Sequence, residues 1–76
     1  MSKEEIIGRK VIIEYRTDEG KYCIKDKLIS QDEWGYIIKG KLKYFWRDHN
    51  MWVDMDKKLP RTYHIERSQV TKMEIE

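Results

Sequence analysis

Cysteine and long apolar runs are scarce in this chain, and each scarcity excludes a class of protein. Its 76 residues include one cysteine, Cys23, so neither an intrachain disulfide nor a cysteine-based zinc site can form. No apolar run approaches the roughly 20 residues that a membrane-spanning helix needs, and the first ten residues lack the apolar core of a signal peptide. We therefore expect a soluble, cytoplasmic protein that does not associate with a membrane.

A strong net charge is also missing, although charged residues are abundant. Sixteen Lys and Arg against fourteen Asp and Glu leave a formal charge of +2, so an affinity for nucleic acid would have to come from local clustering. Charged residues make up 39% of the chain and aromatic residues 12%, and this pairing argues against disorder, which is poor in aromatics. The length fits one domain, residues 1–76, near the lower limit for a core without disulfides or metals.

Helical signals are confined to the N-terminus. Ser2 and Glu5 have the spacing of a capping box, and Gly8 is a plausible stop, which predicts one short N-terminal helix. The rest of the chain alternates with the period of a β-strand. The predicted strands start at Val11, Lys21, Trp34, Met51, Arg61 and Val70.

The second strand breaks the alternation at Asp26, which would share a face with Tyr22, Ile24 and Leu28. Because a buried, unpaired carboxylate is costly, we expect a bulge or an edge position near residues 25–27.

Residues 34–47 carry the clearest pattern in the chain. One face of this stretch is apolar: Tyr36, Ile38, Leu42, Tyr44 and Trp46. The other face is basic with an aromatic tip: Lys39, Lys41, Lys43, Phe45 and Arg47. A straight strand of this length is too long for a small domain, so we expect Gly40 to bend it, in which case Lys39 need not share a surface with Lys41 and Lys43. Five to six short strands in a meander hide their edges most simply by closing into a barrel.

Several motifs resemble those of Sm-like domains. Residues 8–20, GRKVIIEYRTDEG, resemble the first strand and turn of that family, Leu28 and Asp32 repeat the spacing of its first motif, and residues 65–70, IERSQV, resemble its second. The resemblance implies an all-β, small five- to six-stranded SH3/Sm-like barrel. It also implies RNA-contacting positions in two loops: Asp32, Trp34 and Gly35 in one, and Arg67, Ser68 and Gln69 in the other. The asparagine that the family has after the position of Trp34 is absent, which bears on base recognition and on ring assembly.

The first functional hypothesis is a non-enzymatic module that binds RNA or single-stranded nucleic acid. Cations spaced to meet phosphates, together with exposed aromatic rings for bases, meet the physical requirement. The candidate residues are Trp34, Lys39, Lys41, Lys43, Phe45, Arg47, Arg67 and Gln69. The same lysines could instead keep a strand face soluble.

The alternative hypothesis is a small protein-binding or inhibitory module. Three Trp and five Tyr exceed what one small core holds comfortably, and Trp, Tyr and Arg are enriched at interface hot spots. Small stand-alone barrels are common among mobile-element products that block a host factor, which is an analogy. Homo-oligomer formation stays open.

Catalytic and metal-binding patterns are weak, so we expect no enzyme, no cofactor and no metal. Cys23 could act as a nucleophile only beside His49 or His64, and a mid-strand cysteine is more often a small apolar residue. Asp54 and Asp56 on one strand face, with His49 nearby, form a grouping that is common by chance.

Overall fold

The computed structural model describes residues 6–55 and 59–76, which form β-strands joined by short turns. Seven strands lie in these two ranges: β1 (Lys10–Thr17), β2 (Gly20–Gln31), β3 (Gly35–Gly40), β4 (Leu42–Trp46), β5 (Met51–Asp54), β6 (Arg61–Glu66) and β7 (Val70–Ile75). One-turn 3-10 helices follow β4, at Arg47–His49, and β6, at Arg67–Gln69. No α-helix occurs within these ranges, and the predicted all-β class is confirmed.

The predicted N-terminal helix, from Ser2 to its stop at Gly8, falls mainly on residues 1–5, which lie outside the described residues, and its described end, residues 6–8, is not part of an α-helix. The chain enters β1 through a turn in which the Arg9 backbone N–H donates to the Ile6 carbonyl at 3.1 Å. Gly8 has a φ of 86°, a conformation that glycine adopts without strain. The Gly8 N–H donates to the Leu28 carbonyl at 2.7 Å, so this turn is fastened to β2.

β2 belongs to two sheets because it changes its neighbour halfway along. It pairs with β1 in a continuous antiparallel register from Gly20 to Lys27. On its other side it pairs first with β4, at residues 22–24, and then with β3, from Leu28 to Gln31. The result is a five-stranded sheet in the order β5-β4-β2-β1-β7 and a three-stranded sheet in the order β2-β3-β6.

The seven strands are not closed into a barrel, which differs from the prediction. In the described part of the chain β5 pairs only with β4, β6 only with β3 and β7 only with β1, so these three strands are edges. The 3-10 helix Arg67–Gln69 carries the chain from β6 in one sheet to β7 in the other without a ladder between them. The edge strands are only four to six residues long and carry charged residues, which limits edge-to-edge aggregation.

The core lies where the inward faces of the two sheets meet. Ten side chains form it: Val11, Ile13, Tyr15, Tyr22, Ile24, Leu28, Tyr36, Ile38, Leu42 and Ile65. The rings of Tyr15 and Tyr22 stack with centroids 5.4 Å apart, and Tyr44 continues this contact at 5.7 Å from Tyr22. The inward faces predicted for the second and third strands, Tyr22, Ile24 and Leu28 in one and Tyr36 and Ile38 in the other, are thereby confirmed.

Trp46, which the alternation placed in the core, is 42% exposed, and that part of the prediction is wrong. Trp46 is the last residue of β4. The 3-10 helix that follows places the His49 ring against the indole, with the ring centroids 3.8 Å apart. The core does not extend to the end of this strand.

Gly40 divides the long third segment into β3 and β4, as its position predicted. A side chain at Gly40 would meet Asp26, whose Cβ lies 2.9 Å from the site of the missing Cβ. Asp26 lies where β2 passes from β4 to β3, so it has no ladder partner on that side, but it pairs with Val11 of β1 on the other, and this half of β2 is not a sheet edge. The bulge, however, lies between Leu28 and Ser30, beyond the predicted 25–27.

Candidate binding surfaces

The turn between β2 and β3 is held by one carboxylate and presents one indole. Asp32 Oδ1 accepts hydrogen bonds from the backbone N–H groups of Trp34, at 2.9 Å, and Gly35, at 2.8 Å. The Asp32 N–H donates in turn to the Gly35 carbonyl at 3.0 Å. Aspartate is favoured in turns because its side chain can satisfy the following backbone N–H groups in this way. The backbone is fixed, while the Trp34 side chain is 70% exposed.

Arg67 joins this turn to the 3-10 helix that follows β6. Its backbone N–H donates to the Trp34 carbonyl at 2.8 Å, and its Nη2 donates to the Asp32 carbonyl at 2.9 Å. The guanidinium also lies over the Tyr36 ring, 4.9 Å from the centroid, which is a cation–π distance. These contacts hold Asp32 and Arg67, which are 35 positions apart in the chain, next to each other. Asp32, Trp34 and Arg67 therefore form one cluster.

Gly35 allows this close approach. A Cβ at Gly35 would meet the backbone carbonyl of Ile65 on β6, and a backbone obstacle cannot swing aside as a side chain can. The glycine therefore sets the spacing between β3 and β6, on which the meeting of the two turns depends.

A shallow groove, named the Trp34 groove here, runs beside the exposed indole. Its walls are formed by Glu33, Trp34, His64, Glu66, Arg67 and Ser68. Two carboxylates, Glu33 and Glu66, line the groove with one guanidinium, that of Arg67, and this guanidinium already contacts the Asp32 carbonyl and Tyr36. The groove therefore combines a large aromatic surface with an excess of negative charge.

The turn's own hydrogen bonds determine the protonation state of Asp32. The Gly35 backbone N–H is the main cause that lowers the pKa of the Asp32 carboxyl below its ordinary value; the Trp34 N–H and the charges of His64 and Arg67 act in the same direction, and partial desolvation opposes them. Asp32 therefore stays ionised at neutral pH and continues to accept both hydrogen bonds.

The predicted basic face is divided between two sheets. Lys39 lies on β3 opposite Thr62 of β6, in the three-stranded sheet. Lys43 lies on β4 opposite Cys23 and Asp54, in the five-stranded sheet, and Lys41 sits in the corner between the strands. All three lysines are exposed, and Lys39 lies in a different sheet from Lys43, as the expected bend at Gly40 allowed.

Phe45 is packed against its neighbour and does not stand free in solvent. Its ring meets the Trp52 ring edge-on with centroids 5.1 Å apart, and the Lys21 ammonium lies 5.5 Å from the Phe45 centroid and 5.8 Å from that of Trp52. The pair is partly buried, so Phe45 is poorly placed to stack on a base.

Arg47 lies outside the strand that was expected to carry it. It begins the 3-10 helix after β4 and lines a second groove, between the β1–β2 turn and the end of β4. Asp18, Glu19 and Asp48 line the same groove. Their three negative charges balance the positive charges of the three basic lining residues, Arg16, Lys21 and Arg47.

Gln69 is separated from the other residues of its predicted site. It is half-buried and faces a recess formed with Tyr15, Thr17 and Leu42, whereas Trp34 and Arg67 line the Trp34 groove. Of the eight predicted site residues, the structure brings together Trp34 and Arg67.

Cys23 lies at the middle of the five-stranded sheet, between Glu14 and Lys43 in the neighbouring strands. Burial, with Glu14 as the second cause, raises the pKa of its thiol, which leaves the residue protonated at neutral pH. Asp56 of the proposed metal grouping lies outside the described residues. Within residues 6–55 and 59–76, no three His, Cys, Asp or Glu side chains are grouped closely enough to hold a metal ion.

His64 and Glu66 are the groove residues that sequence reasoning missed. The alternation of β6 puts both on the face opposite Ile65, which is readable from the sequence. The strand that β6 pairs with cannot be read from the sequence, because β6 pairs with β3 across some 20 intervening residues and no local pattern specifies that pairing.

The described residues form an all-β domain in which an exposed tryptophan lies on a hydrogen-bonded turn. The chain matches no protein-family model, no curated protein and no solved structure. The resemblance to Sm-like domains therefore stays a prediction. In the part of the chain described, no helix has the length and apolar character to cross a membrane.

Proposed function

We propose that this chain is a non-enzymatic binding module that engages a protein partner through the Trp34 groove. The observation that carries the proposal is the combination at Trp34 of 70% side-chain exposure with a backbone held by Asp32 and Arg67. Tryptophan is the residue most enriched at interface hot spots. A contact residue that is already ordered loses little conformational entropy on binding, which favours affinity.

The charge of the groove favours a protein over a polyanion. Glu33 and Glu66 line it, and Arg67 is engaged within the fold, so a phosphate backbone would meet repulsion there. A neutral or basic polypeptide segment would meet a complementary surface. Binding without catalysis at one surface also suits an inhibitory module that blocks a partner, and a cytoplasmic location belongs to the same proposal.

The test is affinity capture from nuclease-treated extracts with the wild type, Trp34→Ala and Trp46→Ala. Trp46 is the matched control, since it is also an exposed tryptophan but lies at the end of β4. We expect both variants to keep the wild-type far-UV circular dichroism, and we expect Trp34→Ala alone to lose the captured protein, with affinity reduced about 30-fold or more, as for a hot-spot residue. Equal capture by Trp34→Ala and the wild type would refute the proposal.

The second candidate function is binding of RNA or single-stranded nucleic acid. It is supported by the contact between the Trp34 and Arg67 turns, the same two loops in which the resemblance to Sm-like domains places RNA contacts. Lys39 lies further along β3, about 16 Å from Trp34 at strand spacing, so a short single strand could reach both.

Salt dependence and one matched pair of variants test the second candidate. If the nucleic acid follows β3 from Trp34, Lys39→Gln lowers the slope of log affinity against log salt by about one. Lys43→Gln, on the other sheet, leaves that slope unchanged. No binding of oligonucleotides at low salt, or equal effects of the two variants, would exclude this candidate.

A further inference from the structure

A row of five side chains crosses the outer face of the five-stranded sheet, one from each strand. In spatial order they are Asp54, Lys43, Cys23, Glu14 and Lys72. Their charges run negative, positive, neutral, negative, positive. Cys23 is the centre of this pattern, because each charge on one side of it has an opposite charge at the same distance on its other side.

A pattern of this kind is complementary to itself. Suppose that a second copy packs against this face about a two-fold axis that runs along β2 at Cys23. The row of the second copy then lies over the row of the first in the reverse order. Lys43 then faces Glu14 of the second copy, Asp54 faces its Lys72, and Cys23 faces Cys23. Such an isologous contact is the commonest way in which proteins form dimers.

We propose that the outer face of the five-stranded sheet is a self-association surface, and that its partner is a second copy of this chain. No residue of the Trp34 groove takes part, so the proposal stands apart from the proposed function.

The two lysines that flank Cys23 on β2 would oppose their own copies across the axis, but the charge of each is already partnered within its own copy. Lys21 leans towards the Phe45 and Trp52 rings and lies 3.7 Å from Glu14. Lys25 forms an ion pair with Glu76 at 2.7 Å. These ion pairs reduce the repulsion between the lysines of the two copies.

Apolar surface accompanies the charges. Cys23, Ile12, Phe45 and Trp52 are all partly buried on this face, and a second copy would cover what remains of their surface. The outer strands of the sheet lie about 19 Å apart at the usual strand spacing, which gives a small interface. We expect a weak dimer that forms at high protein concentration and is weakened by salt, because its ion pairs lie near solvent.

Sedimentation of the full chain over a wide concentration range tests the proposal through a charge swap. Lys43→Glu places two acids opposite each other and is expected to weaken dimerisation at least about tenfold. Lys39→Glu makes the same change in charge on the other sheet and is the control. The double variant Lys43→Glu with Glu14→Lys restores the opposite charges and is expected to recover the dimer.

Cys23 provides an independent readout, since the axis brings the two thiols face to face. A short bismaleimide should link two wild-type copies, and the linked product should fall with Lys43→Glu and vanish with Cys23→Ser. A folded wild type that sediments as a monomer at low salt and at the highest concentration overturns the proposal. So does an equal loss with Lys39→Glu and Lys43→Glu.

Should Glu14→Lys unfold the chain, because Glu14 also lies near Lys21 and Lys72, the comparison of the two single lysine variants still decides between these outcomes.

Discussion

Asp32 determines the geometry of the Trp34 turn although it lies at the surface. Its carboxylate oxygen Oδ1 accepts two backbone hydrogen bonds, and its carbonyl accepts a third from Arg67. An exposed tryptophan on a loose turn would sample many positions. Here three contacts of one aspartate hold the backbone that carries it.

Acid should loosen this turn before it unfolds the rest of the molecule. The pKa of Asp32 is lower in the folded than in the unfolded chain, mainly through the Gly35 N–H, so Asp32 stabilises the fold fully above its unfolded pKa of about 3.9. That stabilisation is lost as the pH falls through the lower folded value. We expect the Trp34 and Gly35 amide resonances to titrate together in this acid range.

Asp32→Asn removes the ionisable group and should abolish that titration, while amide exchange at Trp34 and Gly35 becomes faster at neutral pH. Glu33→Gln is the control, since it removes a charge one residue away and takes no part in these hydrogen bonds. Unchanged exchange at both amides in Asp32→Asn would show that the turn does not depend on the carboxylate.

The turn at Asp32 could be predicted from its residue types, but only some of its contacts could be predicted from the sequence. Aspartate two residues before tryptophan and three before glycine is turn chemistry that a sequence displays. The Arg67 hydrogen bonds are not visible, because they join positions 35 residues apart whose approach depends on the pairing of β3 with β6. The resemblance to Sm-like domains named both loops, and no local pattern placed them side by side.

Among the elements, the paired strands β2 and β3 each carry an isoleucine, and the two differ strongly in burial. Ile38 is fully buried between β2 and β6, whereas Ile29, at the bulge of β2, is 47% exposed. The two isoleucines lie in paired strands and differ in their burial.

Ile38→Ala should lower the free energy of unfolding by about 3 kcal/mol, because it removes buried methyl and methylene groups and leaves a cavity. Ile29→Ala should lower it by less than about 1 kcal/mol. Urea denaturation followed by circular dichroism measures both. Similar losses for the two variants would mean that the bulged half of β2 is as tightly packed as β3.

Strand existence could be predicted better than strand ends. Alternation identifies the faces of β1, β2 and β3, and Gly40 marks the division of the long segment, since a side chain there would meet Asp26. Trp46 and the bulge at Ile29 are the failures. Both depend on where the core stops and where β2 changes its partner, and neither is a property of the local sequence.

At the scale of the whole molecule, β2 connects the two sheets. It contributes Tyr22 and Ile24 to the core beside β4, and Leu28 beside β3. Closure into a barrel could not be decided from alternation, because open and closed arrangements of these strands bury the same inward face. The observed edges at β5, β6 and β7 follow from pairings between distant segments.

Since both sheets include β2, we expect them to unfold in one transition. Variants that keep a single tryptophan, either Trp34 or Trp52, report on the two ends of the molecule by fluorescence. For each variant, the denaturant midpoint measured by fluorescence should equal the midpoint measured by circular dichroism, because coincident transitions are expected of two-state unfolding. An earlier midpoint for the Trp34 reporter alone would show that the three-stranded sheet unfolds separately.

The double membership of β2 also limits how the length of this chain can vary. One residue inserted between Ile24 and Leu28 would keep the register with β4 but move the following half of β2 by one residue, which turns the side chains of that half to the opposite face. Leu28 would then lose its place in the core. Insertions and deletions should therefore be tolerated in the turns between strands and excluded from β2, and any relative of this chain can be aligned on that constant distance.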